Sequence, residues 1–172
     1  MAKEVAIAIY NTKKNAINSV RVSFRRVFGT TENKIRSVFN DIRTKGYSSV
    51  QPFSVGHMKK RMRDFAKVNG IEIADGDMYM SVKGITHAQR ATKVRDGLAV
   101  SERDMEQFPS KRAQMDLFYD GVKFVYTDYQ NKFIVHPNYT LKISQGKTKK
   151  VNFVTAGKAG RGEFNLPKYK RI

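Results

Sequence analysis

The chain has 172 residues, with 33 Lys plus Arg against 15 Asp plus Glu, a formal charge of +18 and a pI near 10.2. That length suits one domain with a good core, or a small domain with an extension, and a charge of this size seeks polyanions, nucleic acid first and an anionic membrane surface second. With no cysteine, disulfides, thiolate zinc sites and cysteine nucleophiles are excluded.

No apolar run suits a membrane span and MAKEVAIAIYNTKKN lacks a signal-peptide pattern, so we expect a soluble cytoplasmic protein without a membrane partner. The charge is uneven. Residues 1–70 carry 15 basic and 4 acidic side chains, residues 71–120 carry 7 and 9, and residues 121–172 carry 11 and 2. Basic flanks therefore enclose a nearly neutral middle, an arrangement in which the flanks hold a phosphate backbone. The histidines, His57, His87 and His136, are far apart and form no H-x-x-x-H pattern. No metal or other cofactor is expected.

In chain order, Glu4 to Tyr10 alternates as a short strand, and Asn11 and Thr12 offer caps for a helix with Ile17, Val20, Phe24, Val27 and Phe28 on one side, ended by Gly29. Thr31 caps a second helix with Ile35, Val38, Phe39 and Ile42 as its apolar face and Gly46 at its end, giving an αα-hairpin. Residues 46–53 read as a turn or linker. Met58, Met62, Phe65 and Val68 then form a third apolar stripe closed by Gly70, with His57 before it as a cap, the favoured reading, or a second acid/base group. The other side of that helix carries Lys59, Lys60, Arg61, Arg63 and Lys67, which suit contacts to a nucleic-acid backbone or a solvated face.

Asp75-Gly76 between alternating runs predicts a hairpin over residues 71–82. Thr86 is expected to cap a short helix with His87 on its first turn and Arg90 and Arg95 along one side; Gly97 breaks it. Ser101 with Asp104 starts another short helix, closed by Pro109. A second hairpin turns at Asp120-Gly121, Asn131 leads into KFIVHPNYTLKI, and Gln145-Gly146 leads to VNFVTAG. Leu117 with Tyr119, Phe124 with Tyr126, Phe133 with Val135, Leu141 with Ile143, and Val151 with Phe153 are expected to face one side. The polar side would carry Lys123, Tyr129, Lys132, His136 and Lys142, with aromatic rings for unstacked bases. Residues 157–172 read as a basic flexible tail.

The run THAQRATKVRDGLAVSERDM resembles the H-A-x-x-R-x-x-x-R, turn, S-x-x-D-hydrophobic pattern of RelE-like ribonucleases in the barnase, EndoU, colicin and RelE group, and is similar to a phage early-message endoribonuclease of that general fold. His87 matches the family histidine and Arg95 the second arginine. The first arginine comes one residue early, at Arg90 where Ala91 would match, and the second helix lacks a histidine. The resemblance covers roughly the second half of the chain. In that group two short helices precede a small antiparallel sheet, so with the elements read above the expected fold is α+β: N-terminal helices, then two short helices and a four- to five-stranded antiparallel sheet, RelE-like. The organisation would be a basic helical region over 1–70, a RelE-like domain over 71–156 and the tail.

The function expected on these grounds is metal-independent endoribonuclease action through 2′-hydroxyl attack. His87 would act as acid or base with His136 as the second proton-transfer group, and Arg90 and Arg95 would stabilise phosphate. Lys59, Lys60, Arg61, Arg63, Lys67, Lys123, Lys149, Lys150 and Arg161 would hold nucleic acid, RNA in preference to DNA. The alternatives are a non-enzymatic RNA- or DNA-binding protein on a nuclease-like scaffold and a structural assembly protein that meets packaged genome.

Overall fold

The computed structural model describes residues 30–172. The strand expected at Glu4 to Tyr10 and the helix bearing Ile17 to Phe28 lie outside them, and with them half of the αα-hairpin. Helix α1 (30–45) buries Ile35, Val38 and Phe39, as its spacing predicts, and stops at Gly46, whose φ of +79° a side chain would resist. α2 (Lys60–Val68) buries Met62 and Ala66, while Val68, expected on the apolar stripe, is 84% exposed.

α3 (Val82–Ala88), α4 (Ala91–Arg95) and α5 (Glu102–Lys111) follow. Ser101 Oγ accepts from the Asp104 N–H, the expected cap. Pro109 does not end α5: it lies inside the helix, which continues to Lys111 and a 3₁₀ turn at Arg112–Gln114. Its missing N–H removes one helical bond, and burial of the ring beside Met105 and Phe108 offsets that loss. Ion pairs from Arg43 to Glu102 and from Arg36 to Glu106 (3.2 Å) tie α1 to α5.

Strands β1 (Phe53–His57), β2 (Asp77–Met80), β3 (Asp116–Tyr119), β4 (Phe124–Thr127), β5 (Asn131–Lys142), β6 (Thr148–Lys158) and β7 (Lys170–Arg171) form a seven-stranded sheet in the order β1-β2-β6-β5-β4-β3-β7. The fold class is α+β. The sheet is mixed, with β2 and β6 parallel and the other pairs antiparallel, and wider than the four or five antiparallel strands expected. The hairpin at Asp120-Gly121 forms as expected: Asp120 Oδ1 accepts from Val122 N (2.9 Å) and Lys123 N (2.7 Å).

The hairpin over 71–82 does not form. Asp75-Gly76 still turns, but only Asp77–Met80 is a strand, and its antiparallel partner is β1, in the segment read as linker and cap. His57 is thus a strand residue paired with Asp77, not a helix cap. The short FSVGH run, interrupted by Gly56 at φ +117°, hides β1 from any period-two reading.

One sheet face packs under α1, α2 and α5 through Val55, Met80, Leu117, Phe124, Tyr126, Phe133, Val135, Val154 and Ala156. Residues from 35 to 66 share that core with residues from β2 to β6, so the first and second expected regions are joined by a single core. Leu141, Val151 and Phe153 lie instead with Tyr79 on the opposite face. Val151 and Phe153 do so by ordinary alternation with Val154 on β6, and Leu141 because of an irregularity in β5: His136 faces Phe153 and Tyr139 faces Val151, so one extra residue, spanning Pro137 and Asn138, reverses the alternation of β5 beyond it. The expected single apolar side is therefore two.

Residues 157–172 are not a tail. β6 runs to Lys158, Phe164 stacks on Phe118 at 4.9 Å, and β7 closes the sheet on β3. Glu163 holds the segment by accepting from Gly160 N and Tyr169 Oη, both at 3.1 Å, beside its ion pair with Lys132. Among the described residues no helix is long and apolar enough to cross a membrane.

Candidate active site

α3 begins at Ser81, whose Oγ accepts from the Gly84 N–H at 3.2 Å. Thr86 is not the cap; its hydroxyl donates to the Val82 carbonyl at 2.9 Å inside the helix. His87 therefore stands on the last turn of α3, not the first. The single helix expected to align His87, Arg90 and Arg95 is two, because the chain leaves α3 at Gln89, whose amide donates to Val100 O (2.7 Å), and restarts at Arg90. Spacing along one helix no longer relates the arginines to His87.

Gly84 sets how close α3 comes to the sheet. A Cβ there would meet the Phe153 ring at 2.9 Å and the Val154 carbonyl at 3.2 Å. Gly84→Ala is expected to destabilise by about 1–2 kcal/mol, overpacking outweighing the gain in helix propensity, and to lower the melting temperature by about 3–6 °C. Thermal unfolding followed by circular dichroism checks this; an unchanged or raised melting temperature would show that α3 has slack.

On β5, His136 faces the Phe153 side by ordinary alternation with Val135, and the extra residue after it puts Tyr139 on that side as well. His136 Nε2 lies 3.0 Å from Thr155 Oγ1, and its ring stands edge-on to Tyr139, which stacks on Phe153 at 4.8 Å and 21°. These residues and α3 enclose a cleft of about 590 Å³ lined by His87, His136, Lys83, Lys142, Thr155, Tyr139 and Phe153, with Ser48 to Pro52 along one wall. Pairing of Phe53 with Met80 brings that wall beside Ser81. The volume is in the range of ordinary small-ligand sites.

Both imidazoles have their pKa lowered from the ordinary histidine value. For His87 the causes are desolvation at the cleft wall, then Lys93, Arg90 and Lys83, all disfavouring the charged ring. For His136 they are burial, then Lys123, against an opposing pull from Asp120. Arg90 thus bears on His87 through its field, as N-cap of α4. Lys93, itself held below the ordinary lysine value by burial, Arg90 and Lys132, extends the same positive region.

Arg95 is not in the cleft: it is largely exposed and pairs with Asp96. Comparison of the chain with protein families, with curated proteins and with solved structures finds no match to any of them.

The other expected contacts are dispersed. Lys59 is no free cation, since its Nζ donates to the carbonyls of Ala113 (3.2 Å) and Met115 (3.4 Å) and lies over the Tyr126 ring; burial, Arg61 and Arg112 hold its pKa down. Lys60 pairs with Asp64, while Arg61, Arg63 and Lys67 are exposed on α2. α2 packs on the opposite sheet face from Phe153, so the sheet separates these cations from the cleft. Lys123 neighbours His136 across β4 and β5. Lys149 sits over the Tyr79 ring at 4.9 Å, and Lys150 and Arg161 are exposed.

Of the proposed polar face, Tyr129 donates to Asp116 (2.5 Å) and Lys132 pairs with Glu163; Lys142 lines the cleft. Sequence reasoning missed Lys83 and Tyr139 as cleft residues. Lys83 was within reach, because it precedes His87 by four residues and shares its helix side. Tyr139 was not, because its side depends on the irregularity in β5.

Proposed function

We propose that the protein is an endoribonuclease that needs no metal, acting in the cleft between α3 and β5. The observation that carries this reading is that His87 and His136, from distant parts of the chain, line one cleft together with Lys83 and Lys142. One neutral ring takes the proton of a ribose 2′-hydroxyl as the 2′-oxygen attacks phosphorus. The other, protonated, gives its proton to the 5′-oxygen as the P–O5′ bond breaks, leaving a 2′,3′-cyclic phosphate and a 5′-hydroxyl. Lys83 and Lys142 offset the charge that develops on the non-bridging oxygens. Arg90 and Lys93 favour the neutral state of His87 and attract the flanking phosphates. The resemblance to RelE-like ribonucleases at THAQRATKVRDGLAVSERDM agrees with this chemistry, with Arg95 left out of it.

End-labelled RNA incubated with excess EDTA tests the reading. Expected are cleavage that persists and 2′,3′-cyclic termini, with no cut at a 2′-deoxy position. Products with 5′-phosphate ends, or cleavage that EDTA abolishes, would count against it. A second reading, nucleic-acid binding without cleavage, draws on Arg61, Arg63 and Lys67, exposed on the face away from the cleft; RNA bound with a steep salt dependence and left intact would favour it.

A further inference from the structure

We propose that the cleft is selective for single-stranded RNA, taking one unpaired base against the ring of Tyr139. The inference rests on the reading that the cleft receives RNA, and adds which form of RNA it takes. Tyr139 is 39% exposed, yet its ring is backed by Phe153, which is only 6% exposed. Phe153 is in turn wedged against the α3 backbone at Gly84, and His136 braces the Tyr139 ring from the side at 5.9 Å. The result is an aromatic shelf fixed before any ligand arrives, so little rotamer freedom remains to be lost when a base stacks on it.

No carboxylate is among the described residues that line the cleft, and Lys83 and Lys142 line it as cations for the phosphates of the strand that carries the base. A base inside a duplex already has both faces covered, so it reaches the shelf only after unpairing, which opposes binding. A base in a single strand bears no such cost. Stacking of this kind is tolerant of sequence, because every base presents a π face.

The test uses the full chain and RNA strands with 2′-O-methyl riboses, which cannot be cut, with 2-aminopurine as the probe base. The wild type is expected to bind the single strand about 10-fold or more tightly than a duplex of the same length at one salt concentration, and to quench the 2-aminopurine emission. Tyr139→Phe keeps both effects. Tyr139→Ala loses about 10-fold or more of the single-strand affinity and most of the quenching, with its duplex affinity unchanged. Equal affinity for the two forms, or binding without quenching, in the wild type overturns the proposal. So does a folded Tyr139→Ala that behaves as the wild type. If that variant does not fold, the wild-type comparison with duplex and the quenching decide by themselves. The outcome is separable from the cleavage reading: stacking without any cleavage of ordinary RNA leaves a single-strand binding site, and cleavage without stacking removes the shelf alone.

Discussion

Replacing either cleft histidine by alanine is expected to lower metal-independent RNA cleavage by about 10²–10⁴-fold, the usual contribution of a positioned general acid or base. Because the two rings act on one proton inventory, the double variant His87→Ala/His136→Ala is expected to be scarcely slower than either single one. RNA binding should survive in all three, since Lys83 and Lys142 remain in the cleft. In the proposed reaction the productive state has one ring neutral and the other protonated, and its population peaks between their two pKa values. Both values are lowered below that of an ordinary histidine, so the rate maximum should fall on the acid side of pH 6.5. A maximum at pH 8, or full activity in His87→Ala, would remove the pair from the chemistry.

The same shifts bear on stability. A histidine whose folded pKa is lowered binds fewer protons folded than unfolded, so stability rises with pH between the folded value and about 6.5 and is lost on acidification through that window. His136, the more buried ring, should account for most of it. Unfolding of His136→Ala measured at pH 5 and pH 7 is expected to show a smaller pH dependence than the wild type.

Asn152→Leu is expected to cost about 3–5 kcal/mol, and about 10 °C in melting temperature, although the side chain is nowhere near solvent. Asn152 is fully buried in β6. Its Oδ1 accepts from Ala74 N (2.9 Å) and Asn138 N (3.2 Å), and its Nδ2 donates to Asp77 O (3.0 Å). One amide thus joins the segment before β2, the start of β2 and the β5 irregularity. β2 and β6 share only the Met78–Asn152 and Tyr79–Phe153 register, so little backbone pairing remains to replace it. Leucine is close in volume but leaves three backbone groups unsatisfied, each costing about 1–3 kcal/mol less whatever water recovers. With Asn138 released, the reversal in β5 loses its anchor and Tyr139 loses its placement beside His136. Chemical denaturation checks the magnitude; a loss under about 1 kcal/mol would mean that apolar packing alone holds β2 against β6.

Several features were legible in the chain because their causes lie within a few residues. Ser101 capping Asp104, Gly46 ending α1 and the Asp120-Gly121 turn need no distant partner. The turn at Asp75-Gly76 was legible too, but not what it joined, because the partner of β2 was β1 rather than the residues before the turn. Of the candidate site, His87 and His136 were both nameable as chemistry-bearing residues. Their shared cleft was not, since it needs α3 to continue from β2 and lie along β6, next to the strand that carries His136.

Composition, charge and the lack of cysteine excluded thiol chemistry and pointed to a polyanion, and local capping and turn chemistry placed the end of α1, the start of α5 and the β3–β4 turn; these are properties of neighbouring residues and hold before the chain folds. Which side each strand shows, where residues 157–172 go and whether the two imidazoles meet were decided by the tertiary structure. One extra residue in β5 reverses the side chains of that strand beyond it, Phe164 and β7 find their partners on β3 only once the sheet exists, and α3 lies this close to β6 because Gly84 carries no side chain. Each of these is a contact between residues far apart along the chain, whose free energy depends on burial that no local pattern contains.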